Sequence, residues 1–329
     1  MLENKIDLGF LPTPLQPLKR LSKKFSDYKL YIKRDDNTGL ASGGNKTRKL
    51  EYLIQEAIEN GCEIVITAGA QQSNHCRQTV AACAAIGLEC HLTLDGFEPE
   101  IFNGNLLLSY LLGATLHFVG ENRKGEDMEI LKSELEQKGK KCYVIPYGGS
   151  NSTGALGYVN AAKEFKAQLV EQNLKIDYIF FASSSGGTQA GLTLGIDLFD
   201  IDTELIPINI DKVETFGLSL EEHVLNLINQ GKEKLNIKKD YRLQDIALNR
   251  DYDKAGYGVI TQNENNAIKN LAQTEGILLD PVYTARAFYG MLHHLENQKI
   301  PSNSTVLFWH TGGLPANFHY ADKLSKINY

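Results

Sequence analysis

Apolar and polar positions alternate in blocks along this chain. Short apolar runs end in loops of small residues, and the loops open onto segments with helical period. Residues 63–68 (EIVITA) read as a strand, 69–74 as a loop and 75–86 as a helix. A strand over 91–94, a helix over 101–112 and a strand over 115–119 follow. Residues 126–138 read as an exposed helix, 142–146 as a strand and 155–172 as a helix. Residues 177–182 (DYIFFA), 205–210 and 305–309 complete the strands, with a helix after the loop at 183–191 and another over 315–320. This alternation predicts right-handed crossovers and mainly parallel sheets, an α/β fold. Such sheets carry their sites at the carboxyl ends of the strands, so the strand-to-helix loops become the candidates.

Four of the loops carry groups able to do chemistry. In Ser42-Gly43-Gly44-Asn45-Lys46-Thr47-Arg48-Lys49, two glycines permit a tight turn and Asn45 is a candidate N-cap. Lys46 then heads an apolar helical face made by Leu50, Leu53, Ile54, Ala57 and Ile58. A lysine in that position either snorkels to water or is desolvated, and a desolvated amine attacks carbonyls. Lys49, one turn on, is a solvated residue or an anion ligand. The loop Gln71-Gln72-Ser73-Asn74-His75 opens a helix, where backbone N–H groups cap the chain or receive an anion. In Ser183-Ser184-Ser185-Gly186-Gly187-Thr188, small residues build a tight turn or a nest of N–H donors suited to a phosphate monoester. It is neither a Walker A loop nor GxGxxG. His310-Thr311-Gly312-Gly313 permits close approach of a flat ligand, and Tyr257 and Tyr283 stand beside small residues. One lysine, a phosphate nest and several donor loops together suggest pyridoxal phosphate, whose chemistry needs a Schiff-base lysine and a phosphate cradle.

Composition narrows the classes. The 329 residues, at about 150 per domain, suggest two domains. Net charge is 34 − 40 = −6 with no basic block, which argues against a nucleic-acid partner and a polybasic membrane anchor. The longest apolar stretch, residues 101–112, is interrupted by polar residues and too short for a span, and the first ten residues do not read as a secretory signal. Five cysteines without a CxxC pair read as buried thiols in a reducing, cytoplasmic setting. The eight histidines contain no HExxH, so no metal is expected.

The stretch Gly43-Gly44-Asn45-Lys46-Thr47-Arg48-Lys49-Leu50-Glu51 resembles the signature around the cofactor lysine in the family of aminocyclopropane-carboxylate deaminase and D-cysteine desulfhydrase. Supporting matches are Leu11-Pro12-Thr13-Pro14-Leu15, Lys33-Arg34-Asp35-Asp36, Gln72-Ser73-Asn74-His75, Ser185-Gly186-Gly187-Thr188, Ala255-Gly256-Tyr257-Gly258 and Asp280-Pro281-Val282-Tyr283-Thr284, in family order over nearly the whole chain. The resemblance implies the tryptophan synthase β-like architecture of fold type II pyridoxal-phosphate enzymes. A larger domain (1–49 and 158–329) would hold the cofactor with a smaller inserted one (50–157). It also implies a homodimer acting on a small amino acid.

Carried over by position, Lys46 would hold the cofactor covalently. Lys49, Ser185, Gly186, Gly187 and Thr188 would bind its phosphate. Asn74 would face the ring hydroxyl, Ser73 would meet the substrate carboxylate or act in catalysis, and Tyr257 and Tyr283 would line the substrate side. Lys46 and Tyr283 are the candidates for the Cα base. Deaminases of the family carry Glu and Leu where this chain has Thr284 and Thr311. A neutral threonine would leave the cofactor's ring nitrogen unprotonated, which suits loss of sulfide from D-cysteine to give pyruvate and ammonia. The alternatives are aminocyclopropane-carboxylate deamination and L-cysteate sulfo-lyase activity, the latter needing a cation such as His75 or Arg286 for the sulfonate.

Overall fold

The structure is a computed structural model that describes residues 2–215 and 217–325. Among the described residues nine strands form two sheets: β1 (Leu15–Pro17), β2 (Lys29–Arg34), β3 (Ile64–Gly69), β4 (Glu89–Leu94), β5 (Thr115–Phe118), β6 (Cys142–Val144), β7 (Tyr178–Ser183), β8 (Glu204–Asn209) and β9 (Thr305–His310). The smaller sheet has the order β5-β4-β3-β6 and is parallel throughout. The larger runs β1-β2-β9-β7-β8, parallel except for β1, which pairs antiparallel with β2 at the edge. The α/β architecture with two sheets rich in parallel pairing is therefore as expected.

Central strands β3 (IVITAG) and β9 (TVLFWH) are buried along their whole length, as strands covered by helices on both faces must be. Five buried free cysteines match the reading of the thiols, with Cys62, Cys76, Cys83 and Cys90 packed in the core of the smaller sheet. The helix expected to be exposed at 126–138 runs over Met128–Gln137 and is amphipathic: Met128, Leu131 and Leu135 are buried against the smaller sheet. Strands β1 and β2 and the helices Leu220–Leu235, Gln262–Glu275 and Thr284–Glu296 lie outside the elements read from the sequence. No helix among the described residues is long and apolar enough to cross a membrane, and no cluster of metal-ligating side chains occurs among them.

The helix Lys46–Glu59 is clamped from behind by buried charge. Arg48 donates to Asp35 Oδ1 and Oδ2 at 2.8 and 2.9 Å and to Glu164 Oε1 and Oε2 at 3.0 and 2.9 Å. Lys33 closes the set by pairing with Glu164. Asp35 also accepts from Trp309 Nε1 and Tyr158 Oη at 2.8 and 2.7 Å, and its carboxyl is held well below the usual range against the cost of burial by Arg48. Two cations and two carboxylates thus cancel, with their hydrogen-bonding capacity spread over β2, β9 and two helices. Removing one partner strands a buried charge. Asp35→Ala should lower unfolding free energy by about 3–5 kcal/mol, read from the shift of the urea transition; a loss below about 1 kcal/mol would contradict the clamp.

Candidate active site

A cleft enclosing about 600 Å³, mouth included, lies where β3, β6, β7 and β9 end. It is lined by Lys46, Ser73, Asn74, Ser185, Gly186, Thr188, Tyr283 and Thr311, so the structure gathers the four loops singled out in the sequence. His75 and Tyr147 line it too. Three of the expected residues stand just behind: Lys49 and Gly187 under the floor, and Tyr257 behind Tyr283.

The floor is built by close backbone approach. Lys46 Nζ and Lys49 Nζ, one turn apart, both donate to the Gly148 carbonyl at 3.1 Å. Lys49 also reaches Ser150 Oγ at 3.2 Å. Ser150 Oγ in turn donates to Ser185 Oγ at 2.8 Å and accepts from Gly187 N at 3.2 Å. A Cβ on Gly148, where φ is +68°, would sit 2.2 Å from Ser185 Oγ, and one on Gly187 would sit 2.7 Å from Lys49 Nζ. The left-handed turn at Gly148 favours glycine, and at Gly187 a side chain would press on Lys49 and Ser150. Gly186, also left-handed, turns the chain into the helix Gly187–Leu198. The turn after β7 therefore faces the cleft with a helix N-terminus that has a lysine beside it.

Neither lysine has a carboxylate within ion-pair distance among the described residues. Burial draws the Lys46 ammonium down to about 8 and that of Lys49 well below the ordinary lysine range. His75 is held neutral by burial, and then by the two lysines. Thr67 donates its hydroxyl to the Ile145 carbonyl at 2.8 Å, so it accepts from His75 Nε2 at 2.8 Å. An anion is the missing counter-charge, and a phosphate ester at the Ser185–Gly187 turn would supply it.

The remaining wall is set by the loop after β3. Ser73 caps the helix Asn74–Ile86, accepting from Cys76 N at 3.2 Å. Asn74 Oδ1 accepts from Asn105 Nδ2 at 2.9 Å, which leaves the Asn74 amide nitrogen as a donor at the cleft. Asn45 does not cap its helix; its amide donates instead to Thr188 Oγ1 at 3.0 Å, joining the lysine loop to the turn after β7. Arg77, which lies outside the sequence motifs, is fully buried with no carboxylate partner among the described residues and donates to the carbonyls of Ala41 and Gly43, fixing the loop that presents Lys46.

Two expectations need correcting. Thr284 does not line the cleft: it is fully buried, and its hydroxyl lies 2.7 Å from Asp280 Oδ1. Asp280 accepts as well from the backbone N–H groups of Val282, Tyr283 and Thr284. Arg286 is not available to a substrate, because Glu264 Oε1 takes its Nε at 2.8 Å and the carbonyls of Ile210, Gly256 and Val259 take the rest of its donors.

A profile of the pyridoxal-phosphate dependent enzyme family matches residues 6–312. The chain is 40% identical over 326 residues to D-cysteine desulfhydrase of Klebsiella pneumoniae (strain 342), covering 96% of each. It is 41% identical over 325 residues to a Thermotoga maritima protein that carries a provisional 1-aminocyclopropane-1-carboxylate deaminase name, covering 97% of this chain and 99% of that one. The crystal structure of an ACC deaminase homologue superposes with a TM-score of 0.88 at 39% identity, covering 98% of this chain and 95% of that one. The chain belongs to the pyridoxal-phosphate dependent enzyme family, with the two-sheet architecture of fold type II. Within it, it is a lyase of the group formed by aminocyclopropane-carboxylate deaminase and D-cysteine desulfhydrase, and its cofactor is pyridoxal phosphate. Identity near 40% reaches both names and does not divide the two specificities.

The depressed amine of Lys46 has a kinetic signature. Only the free amine attacks an aldehyde, so covalent attachment of pyridoxal phosphate to the apoprotein should accelerate as pH rises through about 8 and then level off. A rate still climbing toward pH 10, the range of an ordinary lysine near 10.4, would contradict the desolvated site.

Proposed function

We propose that this enzyme removes sulfide from D-cysteine by α,β-elimination, taking up one water and releasing pyruvate, ammonia and hydrogen sulfide. The observation that carries the choice is that no carboxylate lines the cleft among the described residues. Bound pyridoxal phosphate supplies an electron sink at the substrate's α carbon, strongest when its ring nitrogen is protonated. A wall of Thr311, Ser183 and Ala182 has no anion to hold that proton. Thiolate is a good leaving group on the β carbon, so its departure asks less of the sink than opening a cyclopropane does.

The protein groups divide the remaining work. Lys46, with its lowered proton affinity, is the covalent anchor, and once displaced by the substrate amine it is a base beside the α carbon. Lys49, Ser185, Gly186, Gly187 and Thr188 would hold the phosphate, and the amide nitrogen of Asn74 would serve the ring hydroxyl. The Ser73 hydroxyl binds the substrate carboxylate or takes part in proton transfer. Tyr283 stands across the cleft as the second proton-handling group, with Tyr257 behind it. L-Cysteate fits less well: its sulfonate needs a cation, yet Arg286 is spent on Glu264 and His75 is neutral.

Parallel assays on one preparation test the reading. D-Cysteine should yield pyruvate and sulfide with kcat/KM at least about tenfold above that for 2-oxobutanoate release from aminocyclopropane-carboxylate, a margin of about 1.4 kcal/mol. The reverse order would overturn it.

A further inference from the structure

Residues 120–127 leave the end of β5 in the smaller sheet and dock on residues 211–215, which follow β8 in the larger one. Lys124 Nζ donates to the carbonyls of Val213 and Glu214 at 2.7 and 3.1 Å and to Thr215 Oγ1 at 2.9 Å. That is already a sufficient tether. Arg123 does something else. Its Nη2 pairs with the buried Asp211 at 2.7 Å, and its Nη1 donates to Tyr147 Oη at 3.2 Å. Its guanidinium carbon lies 4.3 Å from the centroid of the Tyr257 ring. Tyr257 Oη lies 2.5 Å from Tyr283 Oη. Tyr147 and Tyr283 both line the cleft. One cation from the smaller-sheet side therefore braces a cleft wall directly and reaches a second cleft residue through Tyr257.

We propose that Arg123 is a positioning residue for proton transfer: by docking across the two sheets it aligns the Tyr257–Tyr283 pair and keeps a positive charge beside it. The inference rests on the reading of Tyr283 as a proton-handling group and extends it to the group that governs it. The geometry suits arginine in particular, since a planar guanidinium stacks on one ring while its edge serves Asp211 and a second phenol. The charge also matters. Burial pushes both phenols well above the ordinary tyrosine range, and Arg123 offsets part of that at Tyr257.

Three variants of the holoenzyme decide it: Arg123→Met, Arg123→Lys and, as reference, Tyr283→Phe. Arg123→Met should lower kcat about ten- to a hundredfold, the low end of what a positioned proton-transfer group supplies, with KM within about threefold. Loss of the cation makes a phenol harder to ionise, so the pH limb of kcat that reports the pair should move to higher pH. Arg123→Lys should return the limb and recover part of kcat. Amide hydrogen exchange should rise in the segment carrying Tyr257 in the methionine variant. If Arg123→Met changes only KM or melting temperature while kcat and its pH profile stay as in the wild type, Arg123 is a tether and the inference is wrong. If Tyr283→Phe keeps wild-type kcat, the reading of Tyr283 fails first and the role of Arg123 falls with it.

Discussion

Two amines sharing one carbonyl, with no carboxylate to neutralise them, is the condition on which the rest of this molecule depends. Lys46 and Lys49 both reach Gly148 at the junction of the two sheets. Their burial is unfavourable for the charged form unless an anion arrives. The fold meets that cost elsewhere. Arg48, between them in sequence, points to the opposite face of the same helix and is satisfied by Asp35 and Glu164. One turn of helix thus carries a neutralised charge network behind and an uncompensated positive field in front. The first holds the helix in place, and the second disfavours the ammonium form of Lys46 and so favours the free amine.

In the proposed reading, specificity turns on what the opposite wall lacks. Thr311 faces the cleft, and Thr284 has been drawn into the Asp280 turn. The Asp280 carboxyl is itself pushed up by burial while four donors hold it in place. A carboxylate is therefore close in the sequence but committed to shaping the start of the helix Thr284–Glu296. The cleft is left with hydroxyls, amides, phenols and the neutral His75 imidazole as its polar surface besides the amine. Such a surface favours chemistry with a good leaving group.

Much of this was readable before any coordinates. The loops at 43–49, 71–75, 183–188 and 310–313 stand out because close backbone approach to a ligand demands glycine and short hydroxyl residues, a need that is written locally. What was not readable is what depends on distant partners. Strand β2, KLYIKR, reads as polar because Lys33 gives no hint of Glu164 waiting 131 residues later. Arg286 looked available for a substrate until Glu264 claimed it, and Thr284 looked like a cleft residue until Asp280 did. Arg123 lies between the strand read at 115–119 and the helix read at 126–138, where the sequence offers no reading, and only the crossing between sheets puts it on Tyr257. The helices Leu220–Leu235 and Gln262–Glu275 did leave a local sign, the capping boxes of Ser219 with Glu222 and Thr261 with Glu264.

The central claim is that the amine of Lys46, rather than any of the other lysines, carries the coenzyme. Reduction of the holoenzyme with borohydride, followed by proteolysis and peptide mass analysis, reads this directly. The account predicts a single pyridoxyl-phosphate adduct on the peptide containing Lys46, absent from Lys46→Ala. An adduct on Lys49 or on a surface lysine, with Lys46 unmodified, would contradict it.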